Sequence, residues 1–207
     1  MRFADWEPHY IAILEYFGFE RDADEAAARL LAELAGGRDE LGLLEALIRG
    51  RQVTVCGNAP TLPRELDRVE GTVLAADAAA GVLVEHGIRP DAVFTDLDGA
   101  TDVFIDLSEQ GTVMVVHAHG DNLPLLRHWV PRFPGPLVAT TQAAPLAHIH
   151  NFGGFTDGDR AVFAADELGA ASIRIVGFDL ADRNVDPVKR GKLYWAGELL
   201  RLIGYDL

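Results

Sequence analysis

Positive charge is scarce in this chain. Its 207 residues include 18 lysines and arginines against 32 aspartates and glutamates, which gives a formal net charge of −14. Lysine is almost absent, with only Lys189 and Lys192, a deficit that fits a salt-adapted host with a GC-rich genome. A chain this acidic does not attract a nucleic-acid backbone, so we expect no nucleic-acid partner. A phosphate-bearing substrate must therefore be held locally, by metal ions and a few well-placed cations.

Cysteine and long apolar runs are also scarce. The single cysteine, Cys56, excludes an internal disulfide and a thiolate zinc site, and its apolar neighbours at 53–55 predict a buried core residue. No apolar run reaches the roughly 20 residues needed to span a bilayer. Residues 1–9 lack the apolar core of a signal peptide. We therefore expect a cytoplasmic protein with no membrane partner.

Residues 1–50 have the apolar spacing of helices. Ile11, Leu14, Tyr16 and Phe17 form one short apolar face. A second face lies within 26–34 and ends at Gly36-Gly37, where a helix is expected to break. The pattern predicts an N-terminal helical region that either closes over a site as a lid or only packs against the remainder.

From residue 51 to 207 the pattern changes to short β-branched runs separated by amphipathic stretches. The runs cover 53–56, 73–76, 92–95, 113–116, 137–140 and 173–176. Continuous apolar strands separated by helices predict an α/β fold with three layers and a mostly parallel, Rossmann-like sheet. Each run is followed by Gly, Asp, His or Thr. Ligands bind at the carboxyl ends of such strands, so six strand ends point to one site.

The first candidate motif is Asp96-Leu97-Asp98, directly after the run at 92–95. In an extended segment the two aspartates project to the same side, with Cα atoms about 6.5 Å apart. Two carboxylates at that spacing can hold Mg²⁺, which prefers oxygen ligands and substrate phosphates. A solvated turn would have the same composition, but the position at a strand end favours a magnesium site.

A second motif, His117-Ala118-His119-Gly120-Asp121-Asn122, follows the run at 113–116. Its H-x-H-x-D spacing is similar to part of a binuclear zinc hydrolase motif, which we keep as a minor alternative. That reading leaves Asp96 and Asp98 without a role. A more economical reading makes Asp121 a further carboxylate near the metal, with His119 and Asn122 donating to phosphate or substrate.

Three further segments are candidates for phosphate binding. Residues 151–160 combine two glycines, whose amides can approach a ligand closely, with capping residues for a helix near Asp159 and a bidentate cation in Arg160. Residues 57–62 form a small-residue loop that lacks the Walker A ending. Lys189 and Lys192 cluster before a C-terminal amphipathic helix at 193–202. The residues singled out are Gly57, Asn58, Thr61, Asn151, Gly153, Gly154, Thr156, Asp157, Asp159, Arg160 and Lys192.

Taken in this order, these motifs, with 87–99 and Thr140-Thr141-Gln142, resemble the archaeal 6-hydroxymethyl-7,8-dihydropterin pyrophosphokinase family over roughly 52–200. The family is distantly similar to the catalytic domain of thiamine pyrophosphokinases. The resemblance implies an enzyme that uses ATP and Mg²⁺ to make a pterin diphosphate for folate or methanopterin synthesis, and releases AMP. The chain departs from the expected pattern at 57–62, where a second glycine and a serine are replaced.

The resemblance also implies roles for individual residues. Asp96 and Asp98 are assigned to Mg²⁺ with Asp121 in support, and Asp77 is a candidate for a second ion or for the pterin. Either Asp98 or His119 could accept the hydroxyl proton. Further assignments go to polyphosphate (Arg160, Lys192 and the amides of Gly153 and Gly154), to the pterin (Asn122, Gln142 and Phe155) and to the site in general (Thr141).

Two other classes of function remain open at this point. A metal-dependent glycosyltransferase also uses a D-x-D site, in its case to bind a nucleotide sugar. A nucleotide-sensing module would bind ATP without turnover and would not need both carboxylates. The sequence leaves the oligomeric state open, with a homodimer as one option.

Overall fold

Three helices open the chain, and the computed structural model describes all residues from 1 to 207. They are α1 (Phe3–Phe17), α2 (Arg21–Ala35) and α3 (Leu41–Ile48). α1 and α2 end at Gly18 and Gly36, which adopt the left-handed conformation that suits a helix C-terminus. The N-terminal helical region is therefore confirmed.

The apolar face predicted for the first helix is wrong in part, because Ile11 and Tyr16 are exposed. α1 instead buries Trp6, Tyr10 and Ile13, a spacing of three to four residues that makes one stripe along the helix.

A seven-stranded sheet follows, with β1 (Gln52–Cys56), β2 (Thr72–Ala76), β3 (Ala92–Thr95), β4 (Val113–Ala118), β5 (Leu137–Thr141), β6 (Ile149–His150) and β7 (Ser172–Val176). All neighbouring strands are parallel, in the order β6-β5-β4-β3-β2-β1-β7. The six predicted strands and their parallel arrangement are confirmed. β4 runs two residues further than predicted, through His117 to Ala118, and β6 was not predicted.

The remaining helices are α4 (Ala79–Glu85), α5 (Asp102–Glu109), α6 (Leu123–Trp129), α7 (Asp157–Glu167) and α8 (Pro187–Leu202). Three 3-10 turns lie at Leu62–Arg64, Leu66–Arg68 and Val130–Arg132. α2, α4, α5 and α6 contribute to the core on one face of the sheet, and α1, α3, α7 and α8 to the core on the other. The predicted three-layer α/β fold is confirmed.

The chain changes face where it reverses direction along the sheet. From β2 to β5 it moves outward one strand at a time, and its crossover helices α4, α5 and α6 lie on one face. After β6 it returns through α7, on the opposite face, to reach β7 beside β1. Right-handed crossovers require this change of face. The order of the strands therefore reverses between β1 and β7, a place where ligands bind in open α/β sheets.

The N-terminal helices share their buried residues with the sheet. Trp6 and Tyr10 of α1 belong to the same apolar cluster as the strands and α7, whereas Leu31 of α2 belongs to the cluster on the opposite face. These helices therefore wrap around the sheet and have no core of their own. No helix in the structure has the length and apolar character needed to cross a membrane.

Candidate active site

A cavity of about 900 Å³ lies at the carboxyl ends of the strands. Residues following β1, β2, β3, β4, β5 and β7 line it, together with the turn between α1 and α2, the start of α7 and one side of α8. The six predicted strand ends therefore do converge on one site. The turn between α1 and α2 contributes Gly18, Phe19 and Glu20 to the wall, so the N-terminal helices both pack and line the cavity.

Three carboxylates meet at the floor of this cavity. Asp77 follows β2, Asp96 follows β3, and Asp157 begins α7. One oxygen from each lies within 4.8 Å of those of the other two. We call these residues the carboxylate cluster. Asp77 has a φ of 46°, a left-handed conformation that is uncommon outside glycine, and the hydroxyl of Thr95 donates to its carboxylate over 2.5 Å.

Burial makes this concentration of negative charge costly. Burial, followed by the repulsion of Asp96 and Asp98, raises the pKa of Asp77 to about 6. Burial and the charge of Asp96 raise the pKa of Asp157 well above its usual range, and the same two causes raise the pKa of Asp98. A bound divalent cation would remove this cost. The all-oxygen donor set of the carboxylate cluster fits Mg²⁺.

Asp96 is the member of the cluster whose pKa is lowered. Burial alone would raise its pKa, but the hydrogen bond from His119 and the positive charge of Arg160 outweigh burial and hold the pKa well below its usual range. The side-chain amide of Asn122 donates to the Asp96 carbonyl over 2.8 Å and to the His117 carbonyl over 2.7 Å. Asn122 thus ties the end of β3 to the end of β4.

The two histidines after Val116 do different things. His119 places Nε2 3.3 Å from Asp96 and Nδ1 2.5 Å from Asp121. Burial lowers its pKa, but the two carboxylates reverse that effect and raise the pKa to about 9. His119 is therefore an imidazolium cation at neutral pH. His117 is buried, and burial followed by the positive charge of Arg160 holds its pKa well below the usual range, while its Nδ1 lies 3.0 Å from the hydroxyl of Thr140.

The histidines do not assemble a zinc hydrolase site. His148 and His150 both contact Asp39, in the connection between α2 and α3, at 3.4 and 2.9 Å. That contact involves no residue of the cavity wall.

Arg160 is the buried cation beside the carboxylate cluster, with 6% of its surface exposed. Nη1 donates to Asp157 over 3.1 Å and Nη2 donates to the Gln142 side chain over 3.2 Å, while Nε has no partner. Lys189 and Lys192, on α8, line the same cavity. The site thus combines carboxylates with cations from three elements, an arrangement suited to a metal-bound polyphosphate.

Two glycines that line the cavity allow the backbone there to pack closely against its neighbours. A Cβ on Gly57 would lie 2.6 Å from the Gly177 carbonyl oxygen, and one on Gly158 would lie 2.7 Å from the Phe178 ring. The backbone after β1 and the first turn of α7 therefore pack against the same aromatic ring. Amides of a helix N-terminus at such a place favour anions.

Known proteins with similar sequences belong to the family that the motifs resemble. The family model "6-hydroxymethylpterin diphosphokinase MptE-like" matches residues 28–185. A 6-hydroxymethyl-7,8-dihydropterin pyrophosphokinase of Methanothermobacter thermautotrophicus is 39% identical, over 94% of this chain and 92% of that protein. Proteins with the same description from Pyrococcus furiosus and Methanocaldococcus jannaschii are 43% and 30% identical, over 87% and 86% of this chain and 79% and 80% of theirs.

The chain belongs to the MptE-like 6-hydroxymethylpterin diphosphokinase family. The resemblance described from the motifs is thereby confirmed. The range that matches the family model contains all three members of the carboxylate cluster and Arg160, whereas α1 and α8 fall outside it.

In this MptE-like chain, the predicted site residues divide into those that line the cavity and those that support it. Lining residues are Gly57, Asn58, Asp77, Asp96, Asp98, His119, Asp121, Gln142, Phe155, Thr156, Asp157, Arg160 and Lys192. The others, which lie outside the cavity wall, are Thr61, Asn122, Thr141, Asn151, Gly153, Gly154 and Asp159.

The supporting residues have identifiable structural contacts. Asp159 accepts the backbone N–H groups of Phe155 and Thr156 over 2.7 Å each, as part of a capping box at the start of α7. Asn151 donates to the carbonyls of Gln142 and Ala143.

Gly153 and Gly154 both have a φ of 85°, and a Cβ on Gly154 would lie 2.7 Å from the Arg160 backbone. These glycines therefore let the loop pack closely on α7. The predicted contact of their amides with polyphosphate has no support in this placement, because neither glycine lines the cavity.

The metal ligands were predicted as Asp96, Asp98 and Asp121, and the geometry gives a different grouping. Asp121 pairs with His119, and its side chain is 84% exposed. Asp157, expected only near phosphate, lies beside Asp96 and Asp77. The sequence offered no signal for this proximity, because Asp157 is 61 positions from Asp96 and read as a helix cap.

Asp24 was missed altogether. It lies in the first turn of α2, where an acidic residue is expected for its effect on the helix dipole alone. In the structure it is 3% exposed and lines the cavity. What distinguishes Asp24 from an ordinary acidic residue at a helix start is its burial. Burial cannot be read from one sequence, so no signal in the sequence could have found this residue.

Proposed function

We propose that this protein is a 6-hydroxymethyl-7,8-dihydropterin pyrophosphokinase that uses ATP and Mg²⁺. It transfers the terminal diphosphate of ATP to the hydroxymethyl oxygen of the pterin and releases AMP. The observation that carries the proposal is the carboxylate cluster, which shares one cavity with cationic side chains in a chain of the MptE-like family. No relative reported above is described as a glycosyltransferase or a sensor.

In this reaction a bond forms between the hydroxymethyl oxygen and the β-phosphorus of ATP. The bond from that phosphorus to the oxygen bridging it to the α-phosphate breaks, and AMP leaves with the electron pair. Catalysis of such a transfer rests mainly on positioning and on neutralising charge. Asp77, Asp96 and Asp157 would hold Mg²⁺, which neutralises negative charge on the phosphates.

The cations of the site have distinct positions for this task. Arg160 lines the cavity and holds its guanidinium beside Asp157, to which Nη1 donates. His119 adds a second positive charge at neutral pH, since its pKa is raised to about 9. Lys192 on α8 faces the cavity from another element. Together they would stabilise the oxygens of the transferring diphosphate.

The proton of the hydroxyl group goes to a residue that is unprotonated before transfer. His119 is a poor acceptor, because it already carries its proton at neutral pH. Asp98 lines the cavity, and burial together with the charge of Asp96 raises its pKa above the usual range, which makes it a better acceptor than an ordinary aspartate. We therefore assign proton acceptance to Asp98 and phosphate binding to His119.

The test uses the purified protein with ATP, MgCl₂ and 6-hydroxymethyl-7,8-dihydropterin, at low and at high salt. We expect AMP and the pterin diphosphate in equal amounts. Formation of ADP, or no product at any salt concentration, would contradict the proposal. Preference for ATP over UDP- and CMP-sugars in a binding screen separates the enzyme from a glycosyltransferase.

The biological setting follows from the same chemistry. A pterin diphosphate is a substrate for building folate or methanopterin, and the three relatives are archaeal proteins. A cytoplasmic location and a homodimer are further predictions.

A further inference from the structure

Asp24 connects the N-terminal helices to the floor of the cavity. Its carboxylate accepts three hydrogen bonds: from the hydroxyl of Tyr10 on α1 over 2.7 Å, from the side-chain amide of Gln142 after β5 over 2.8 Å, and from the backbone N–H of Gly120 after β4 over 2.7 Å. The family model begins at residue 28, so Asp24 lies outside the matched range. It is also separate from the carboxylate cluster.

The contact with Gln142 determines which way that amide points. A glutamine side chain can present either its oxygen or its NH₂ group to a neighbour, whereas a carboxylate only accepts. Asp24 therefore draws Gln142 Nε2 toward itself, and Oε1 is left facing Arg160, whose Nη2 donates to it over 3.2 Å. An amide in the opposite orientation would set NH₂ against the guanidinium.

The hydrogen bonds that start at Asp24 continue through Gln142 and Arg160 to the carboxylate cluster. Arg160 Nη1 lies 3.1 Å from Asp157, so the orientation of Gln142 bears directly on where the guanidinium is held. Asp24 also anchors Gly120, next to His119, and a Cβ on Gly120 would lie 2.8 Å from the Ala23 side chain. One buried carboxylate thus contacts Gln142, which accepts from Arg160, and the backbone next to His119.

We propose that Asp24 is a positioning residue for the reaction: it sets the orientation of the Gln142 amide and so holds Arg160 against the carboxylate cluster. The inference rests on the proposed function for its effect on turnover. An alternative role is purely structural, as a tie between α1, α2 and the sheet. The two roles differ in what restores activity.

The test is a cycle of Asp24→Asn, Gln142→Glu and the double variant. In Asp24→Asn, the new NH₂ group favours a reversed Gln142, which then turns its own NH₂ toward Arg160. In Gln142→Glu, two carboxylates face each other. In the double variant the amide introduced at position 24 donates to the carboxylate introduced at position 142. That carboxylate also accepts from Arg160, so both hydrogen bonds made by the side chain at position 142 again join a donor to an acceptor, and only the Tyr10 hydroxyl loses its acceptor.

We expect each single variant to lose about tenfold or more in kcat with a smaller change in KM, because a displaced cation weakens the transition state more than binding. The double variant should recover most of that loss. Tyr10→Phe is the matched control, since it removes a hydrogen bond to the same carboxylate without touching Gln142. It should lower the melting temperature and leave kcat within about twofold.

Two results would overturn the inference. One is wild-type kcat in Asp24→Asn. The other is a loss of kcat that the double variant does not recover and that Tyr10→Phe matches for an equal loss of stability. Absence of product from the wild type would instead refute the proposed function. In that case crystal structures decide: Arg160 should leave Asp157 in Asp24→Asn and return in the double variant, and an unmoved Arg160 would refute the positioning role.

Discussion

At the residue scale, Asp157 and Asp159 show how position separates two carboxylates that look alike in the sequence. Both lie in the first turn of α7. The Asp157 side chain is 14% exposed and belongs to the carboxylate cluster, whereas Asp159 is fully buried and caps the helix. The cluster should carry the chemistry, and the cap should carry stability.

Asp157→Asn should reduce turnover by about a hundredfold or more, because it removes a carboxylate from the proposed metal site. Without added metal its melting temperature at about pH 7.5 should equal or exceed that of the wild type. The reason is that burial and Asp96 raise the pKa of Asp157, so its ionised form costs stability in the folded protein. Asp159→Asn should instead lose about 1–2 kcal/mol of stability, with a smaller loss of turnover.

The pH dependence of stability tests whether the raised pKa of Asp157 is the cause of this effect. A carboxylate whose pKa is raised on folding binds more protons in the folded state, so its contribution to stability falls as pH rises. The stability advantage of Asp157→Asn should therefore grow with increasing pH and vanish in acid, where the wild-type carboxyl is protonated. An advantage that grew in acid would contradict this account. Calorimetry over a pH series measures it.

Prediction from the sequence at this scale succeeded where neighbours in the chain are neighbours in space. Asp96 and Asp98 were predicted to lie at the end of a strand, and they line the cavity. The approach of Asp157 and Asp24 depends on how α7 and α2 pack, and no local pattern encodes that. The spacing of residues along the chain therefore could not predict which of the acidic residues lie close together in the structure.

At the element scale, α8 positions the two lysines. Asp186 caps the helix, accepting the N–H groups of Val188 and Lys189 over 2.8 and 2.9 Å, and Pro187 takes the first helical position. The helix begins six residues before the predicted start at 193. The Asp-Pro pair is a recognised start signal, so this boundary could have been predicted from the sequence.

Asp186→Ala should fray the first turn of α8 and lower the stability of that helix, because it removes the acceptor for two backbone N–H groups. Because Lys189 and Lys192 lie within the first two turns, we expect KM for ATP to rise several-fold while kcat changes less. Asp106→Ala is a suitable control, because Asp106 is an exposed acid on α5 that does not line the cavity. Equal effects of the two substitutions would assign the change to net charge instead of to the cap.

Strand boundaries show the limits of periodicity at the same scale. The apolar runs located six strands because buried parallel strands are continuously apolar. β6 has only two residues, Ile149 and His150, and is too short for any periodic signal. β4 continues through His117 to Ala118. His117 is polar and ends the apolar run, so the run placed the end of this strand too early.

At the scale of the whole molecule, strand order creates the site. The order of the strands reverses between β1 and β7, and α7 packs over β1, β2 and β3 on the return. This return brings Asp157 to Asp77 and Asp96. The sequence predicts the parallel sheet and the common site, but the order of the strands follows from packing that the local pattern does not contain.

The overall charge is consistent with this arrangement. With a net charge of −14, the protein would repel a polyphosphate at long range, and binding must depend on a metal ion and on the cations inside the cavity. The central claim is therefore that Asp77, Asp96 and Asp157 hold that ion.

The most direct test is titration with Mn²⁺, a paramagnetic substitute for Mg²⁺, followed by electron paramagnetic resonance in the wild type, Asp157→Asn and Asp121→Asn. Asp157→Asn should weaken Mn²⁺ binding by about tenfold or more, as expected for loss of a ligand. Asp121→Asn should change it by less than about threefold, because the Asp121 carboxylate is largely exposed and its charge is screened. Unchanged binding in Asp157→Asn, or an equal loss in Asp121→Asn, would contradict the account.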